Sequence, residues 1–132
     1  MSPYERVTVA AAPEDVVAAL REALAARAIT EYAVVDHGHD MARAGAPGFA
    51  AWTLIFGNPA GGAKLLARDL GAAVDIPLRL AVVGADAGRS EIVLRDMRTL
   101  LGQELGPIAD GFTTVLRELA EQARMAAERA RG

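Results

Sequence analysis

The stretch Trp52-Thr-Leu-Ile-Phe-Gly-Asn-Pro59 constrains the fold more than any other part of this chain. Apolar and β-branched residues follow one another from Trp52 to Phe56, which predicts a central strand covered on both faces. Gly57 then lets the backbone turn with no Cβ in the way. Asn58 is a favourable N-cap, and Pro59 falls at the first helical position, where its missing N–H costs nothing. The expected unit is strand, tight turn, helix.

The flanking segments take their character from periodicity. Tyr4 to Ala12 reads as a strand, with Val7, Val9 and Ala11 alternating against Arg6 and Thr8. Pro13, Glu14 and Asp15 open a helix expected to end near Ala28, with Val16, Val17, Leu20, Leu24 and Ala28 on one face. A second strand spans Thr30 to Asp36, followed by a helical turn over Met41 to Gly45 and a loop at Ala46 to Gly48. After the central strand, Leu65, Leu66 and Leu70 mark the apolar face of a helix from Pro59 to about Leu70, with Gly71 at C′. Leu78 to Val83 and Ser90 to Leu94 form a strand pair around the loop Gly84-Ala-Asp-Ala-Gly88.

Asp96 caps a short helix through Leu101, and Gly102, Gly106 and Pro107 break it. From Pro107, the spacing of Ile108, Phe112, Val115, Leu116, Leu119, Ala123 and Ala126 predicts a long amphipathic helix to about residue 131. Glu121 and Arg124 on its other face are spaced to pair. With no repeat and no linker, the 132 residues predict a single α+β domain. Its antiparallel sheet should have about five strands, covered by helices.

Composition narrows the function classes. A net charge of −3 argues against a general nucleic-acid binder. The absence of cysteine removes disulfides, thiolate metal sites and a Cys nucleophile. No apolar run approaches the ~18 residues of a membrane span, so no membrane partner is expected. The opening MSPYERV carries charge and no apolar core of a signal peptide, which leads to the expectation of a cytoplasmic protein.

Several motifs, taken in register, resemble the DUF302 family of small domains of unknown function. They are Val35-Asp36-His37, Ala42 and Gly45, then Ile55-Phe-Gly-Asn-Pro59 with Gly62 and Leu65, then Asp75-Ile-Pro-Leu-Arg79. The resemblance covers roughly residues 7 to 101. It implies two helices over one antiparallel sheet, commonly assembled as a homodimer, and brings no activity. The chain departs from the family pattern at Gly48, Ala50 and Ala63, and at Leu94-Arg-Asp-Met97, where the family has Tyr-Asn-Asp-Pro. The long C-terminal helix lies outside the resemblance.

Asp36-His37-Gly38-His39-Asp40 is the densest set of ligand-type side chains. Read as extended chain, it puts His37 and His39 on one face and the two aspartates elsewhere. Two imidazoles then need a third ligand such as Asp75, and neither a metal nor a cofactor is expected. The plainer reading is that Asp36 caps a turn and His37 bonds to backbone. The Gly57–Gly62 turn offers free N–H groups at a helix start, which suits an anion. It matches neither a Walker loop nor a dinucleotide fingerprint.

Candidate ligand-binding residues are therefore Asp36, His37, Gly57, Asn58 and Asp75, with no catalytic residue assigned. The favoured reading is a homodimeric domain that binds a small molecule. The alternatives are an enzyme using His37 as acid or base, and a structural or protein-interaction domain whose last helix docks on a partner. If the strand ends share an edge, His37, the Gly57 turn and the Arg95–Asp96 region converge. Antiparallel order would instead throw the histidines to the opposite edge.

Overall fold

In the computed structural model, which describes residues 2–131, five strands form one antiparallel sheet in the order β1-β5-β4-β3-β2. They are β1 (Tyr4–Val9), β2 (Thr30–Asp36), β3 (Ala51–Gly57), β4 (Leu78–Gly84) and β5 (Ser90–Arg95). The helices are α1 (Pro13–Ala26), α2 (His37–Arg43), α3 (Pro59–Arg68), α4 (Met97–Leu101) and α5 (Gly106–Arg131), with 3-10 turns at Leu70–Asp75 and Gln103–Leu105. The α+β architecture, the five strands and the long last helix are those that the sequence predicts.

Side chains alternate across a strand, so each strand offers one row to each side of the sheet. Val9, Leu54, Phe56, Leu78, Leu80, Val82, Ile92 and Leu94 are buried and meet Val16, Leu20 and Leu24 of α1 and Leu116, Leu119 and Ala123 of α5. Each fully buried Leu or Phe contributes about 1.5–3 kcal/mol through removal of apolar surface from water. Two hydroxyls are buried with them, and both are satisfied. Ser90 Oγ donates to the Ala11 carbonyl (2.6 Å), while Thr113 Oγ1 accepts the Met97 N–H (2.9 Å) and donates to the Ala109 carbonyl (3.1 Å).

The opposite face of the sheet is left open. Val35, Thr53, Ile55, Ala81, Val83 and Val93 are only half-buried there, and Arg6, Arg79 and Arg95 are exposed. The expected two-sided cover of the Trp52–Phe56 strand is therefore not what forms. β3 lies next to the edge strand β2, and β4 holds the centre. Its unbroken apolar run reflects an open face that is itself apolar.

Three further expectations shift. The first helix ends at Ala26, and Ala28 sits beyond it at φ 54° rather than on its buried stripe. Ala28 N–H bonds to Ala25 O (3.1 Å) and Ile29 N–H to Leu24 O (2.9 Å), a Schellman closure with alanine where glycine is usual. α3 stops at Arg68 because Asp69 Oδ1 accepts the Gly71 N–H (2.8 Å) and starts a separate 3-10 turn, leaving Leu70 77% exposed. In α5 the buried stripe runs through Ala109, Thr113, Leu116, Ala120, Ala123 and Ala127, with Ile108, Phe112, Val115 and Ala126 on its flank. Small residues win the inner positions because α5 packs closely on α1 and the sheet. That apolar face packs inside the domain, on α1 and the sheet.

Candidate functional site

Register assembles the open face. Arg6 pairs with Val93, Val93 with Ala81, Ala81 with Thr53 and Thr53 with Val35, so these five make one row across the sheet. Two residues toward one end, Tyr4 pairs with Arg95 and Ile55 with Arg79, while the β4–β5 ladder itself ends at Ala81 and Val93. Two residues toward the other end, Glu91 lies between Thr8 and Val83. Arg6 is committed on this face: its Nη1 is 3.0 Å from Glu91 Oε1, and its guanidinium stands 5.9 Å from the Tyr4 ring centre.

Arg79 and Arg95 enter no ion pair among the described residues. They line a half-open cavity of about 420 Å³ together with Tyr4 and Arg6, over a floor of Thr53, Ala81, Val83 and Val93. Asp75 and Pro77, where the 3-10 turn leads into β4, also line it. Guanidinium forks fit carboxylate or phosphate oxygens.

His37 stands at the other end of this face. Asp36 keeps extended backbone and accepts the His39 N–H on Oδ1 (2.9 Å), so α2 begins at once. The segment His37 to Asp40 is therefore helical, not extended. Two residues apart on a helix point to different sides, so His37 and His39 do not share a face. The His37 ring also does not bond to backbone: Nε2 and Thr53 Oγ1 are joined at 2.7 Å. Asp36 does cap, as expected. Among the described residues no group of three His, Cys, Asp or Glu side chains is placed to hold a metal ion.

The Gly57 turn belongs to the arginine end of the sheet. Thr30 pairs with Gly57 and Asp36 with Trp52, which sets His37 and Gly57 about 20 Å apart at the strand rise. The convergence of the histidine loop with the Gly57 turn does not occur, because β2 and β3 run antiparallel. Asn58 Oδ1 accepts the Ala60 N–H (3.0 Å), so its side chain serves the helix start. Gly57 lies under Tyr32: a Cβ there would stand 3.3 Å from Tyr32 Cε2. Gly57 and Asn58 border two further cavities of about 360 and 490 Å³, both lined by Phe112.

Of the five candidate residues, then, Asp75 alone lines the arginine cavity. Gly57 and Asn58 line its neighbours, and Asp36 and His37 line none of the three. The sequence reading missed Tyr4, Arg6, Arg79 and Arg95 as a group. The available signal was an arginine in phase with small apolar residues along a strand, as in Arg79, Ala81 and Val83.

Carboxylates with lowered pKa values occur where arginine forks meet them. Hydrogen bonds from Arg117 hold Glu5 below the usual glutamate range, and those from Arg98 and Arg124 do the same for Asp110 and Glu121.

A family profile described as "Domain of unknown function DUF302" matches residues 5–129. The chain belongs to the DUF302 family. The match runs through α5, so the last helix is part of the DUF302 domain and not an addition beyond residue 101. The fold is similar to that of the crystal structure of an uncharacterized conserved DUF302 protein from Bacillus stearothermophilus, with a TM-score of 0.85. The two share 18% sequence identity over 94% of this chain and 100% of the other, so the likeness is one of fold. No curated protein matches the sequence. Within this DUF302 domain the element Asp75-Ile-Pro-Leu-Arg79 brings its acidic and its basic end to the same cavity.

Proposed function

We propose that this DUF302 domain binds a small anionic ligand at the arginine end of its open sheet face, and that it does so as a homodimer. One observation carries the ligand reading: Arg79 and Arg95 line one cavity with an apolar floor and enter no ion pair among the described residues. A few charged groups over apolar walls is the usual make-up of a small-molecule site. The homodimer is supported by the half-buried Val35 and Ile55, which lie beside the cavity floor on the open face and which a second copy laid there would cover. Its proposed setting is the cytoplasm. No helix among the described residues is long and apolar enough to cross a membrane.

The enzymatic alternative finds less support. Asp36 spends its carboxylate on the α2 cap and is not the group that orients the His37 ring, and His37 itself does not line the cavity, its ring being bonded to Thr53 of the floor.

Titrating phosphate, sulfate and acetate at low ionic strength against the thermal midpoint tests the anion site. A saturable rise is expected, absent in Arg79→Gln and Arg95→Gln. Equal responses from both variants and the parent protein would remove the site from this face. Sedimentation at micromolar concentration should give twice the chain mass, and a single species of one chain mass rules out the dimer.

A further inference from the structure

We infer that the anion held at Arg79 and Arg95 is the carboxylate of an amphiphile whose apolar body lies along β4 and β5. This rests on the anionic reading above and adds the class of molecule. Three features of the cavity lead to it. Its cations Arg79 and Arg95 sit at one end: they line the cavity beyond the Ala81–Val93 pair, and past that pair the floor continues to Val83. A phosphate or sulfate would occupy that end and leave the remainder of a cavity of about 420 Å³ facing water.

The floor is also shaped as a trough. Ala81 is the small residue of its row, between Val93 on one side and Thr53 on the other. From Arg79 to Val83 the trough runs about 13 Å at the strand rise, the length of a medium aliphatic chain. Thr53 Oγ1 already shares one hydrogen bond with His37 Nε2, so this polar group of the floor is partly satisfied within the protein. A head that takes two forked donors, joined to a body that wants no donors, is an aliphatic or arylalkyl carboxylate.

Calorimetric titration of the full chain with acetate, butanoate, hexanoate, octanoate and decanoate tests this, with inorganic phosphate and octanol as the separated head and tail. Affinity is expected to rise about fourfold for each added methylene until the trough is filled. Octanol should bind at least tenfold more weakly than octanoate. Arg79→Gln combined with Arg95→Gln should erase that difference, and Ala81→Leu should cut octanoate binding while leaving acetate unchanged. Acetate or phosphate binding as tightly as octanoate would overturn the amphiphile yet keep the anion site. Octanol matching octanoate would overturn the carboxylate head. No binding by any of the acids or by phosphate would overturn both readings. The chain-length series on the parent protein decides the matter even if a variant does not fold.

Discussion

His37 Nε2 and Thr53 Oγ1 lie 2.7 Å apart, and this bond ties the first turn of α2 to the open side of β3. Burying one such pair contributes about 1 kcal/mol net. A double-mutant cycle with His37→Ala and Thr53→Val should give a coupling energy of about that size by urea denaturation. Additive single changes would mean that the bond does not hold α2 in place.

Gly38 follows directly, and its position has no room for a side chain. A Cβ would stand 2.2 Å from the Phe49 carbonyl oxygen, a backbone atom that cannot swing aside. Gly38→Ala should destabilise by about 1–3 kcal/mol, the range for forced overpacking. A thermal midpoint within a degree of the parent value would show that the segment before β3 yields freely.

Ala28 gives a prediction of the opposite sign. It closes α1 at φ 54°, where a Cβ is disfavoured. Ala28→Gly should stabilise by about 0.5–1 kcal/mol, since glycine's greater freedom in the unfolded chain offsets part of the relief. A loss of stability on chemical denaturation would contradict the Schellman closure.

Asn58 caps α3 through the Ala60 N–H. Asn58→Ala should cost about 1 kcal/mol, and Asn58→Asp much less, because a carboxylate accepts the same bond. Equal losses in both, read from denaturation midpoints, would mean that the cap is not what the side chain supplies.

The Arg117 fork reaches Glu5 of β1 from α5 and holds that carboxyl below its ordinary value. A depressed carboxyl stabilises the folded chain above the unfolded pKa, and the contribution fades as pH falls through the folded one. Both partners are about half exposed, so the effect should be a few tenths to about 1 kcal/mol. Glu5→Gln should therefore be less stable than the parent at pH 7 and equal to it near pH 2. A gap that persists in acid would assign the loss to packing instead.

Sequence by itself determined what is local. Asn58 and Asp96 each bond to an N–H two residues on, so residue type and position suffice to start α3 and α4; Asp36 was legible as a cap, but the start of α2 at His37 was not. The Gly84–Gly88 connection and the alternation of β4 and β5 follow from the same short-range rules, and so does the amphipathic character of α5.

Tertiary structure decided what depends on strand order and register. β1 pairs with β5, far along the chain, and that pairing brings Tyr4 and Arg6 beside Arg95 and Val93. The antiparallel β2–β3 pair sends His37 to the end opposite Gly57, although the two motifs are close in sequence. Periodicity can say that a strand has an apolar side. It cannot say which side meets α1 and α5, and so it left Arg79 and Arg95 unread as lining one cavity. The physical reason is that a strand's hydrogen-bonding edges are satisfied by whichever partner the whole chain delivers, and no residue within β4 encodes that β5 will bring a second guanidinium to the same cavity.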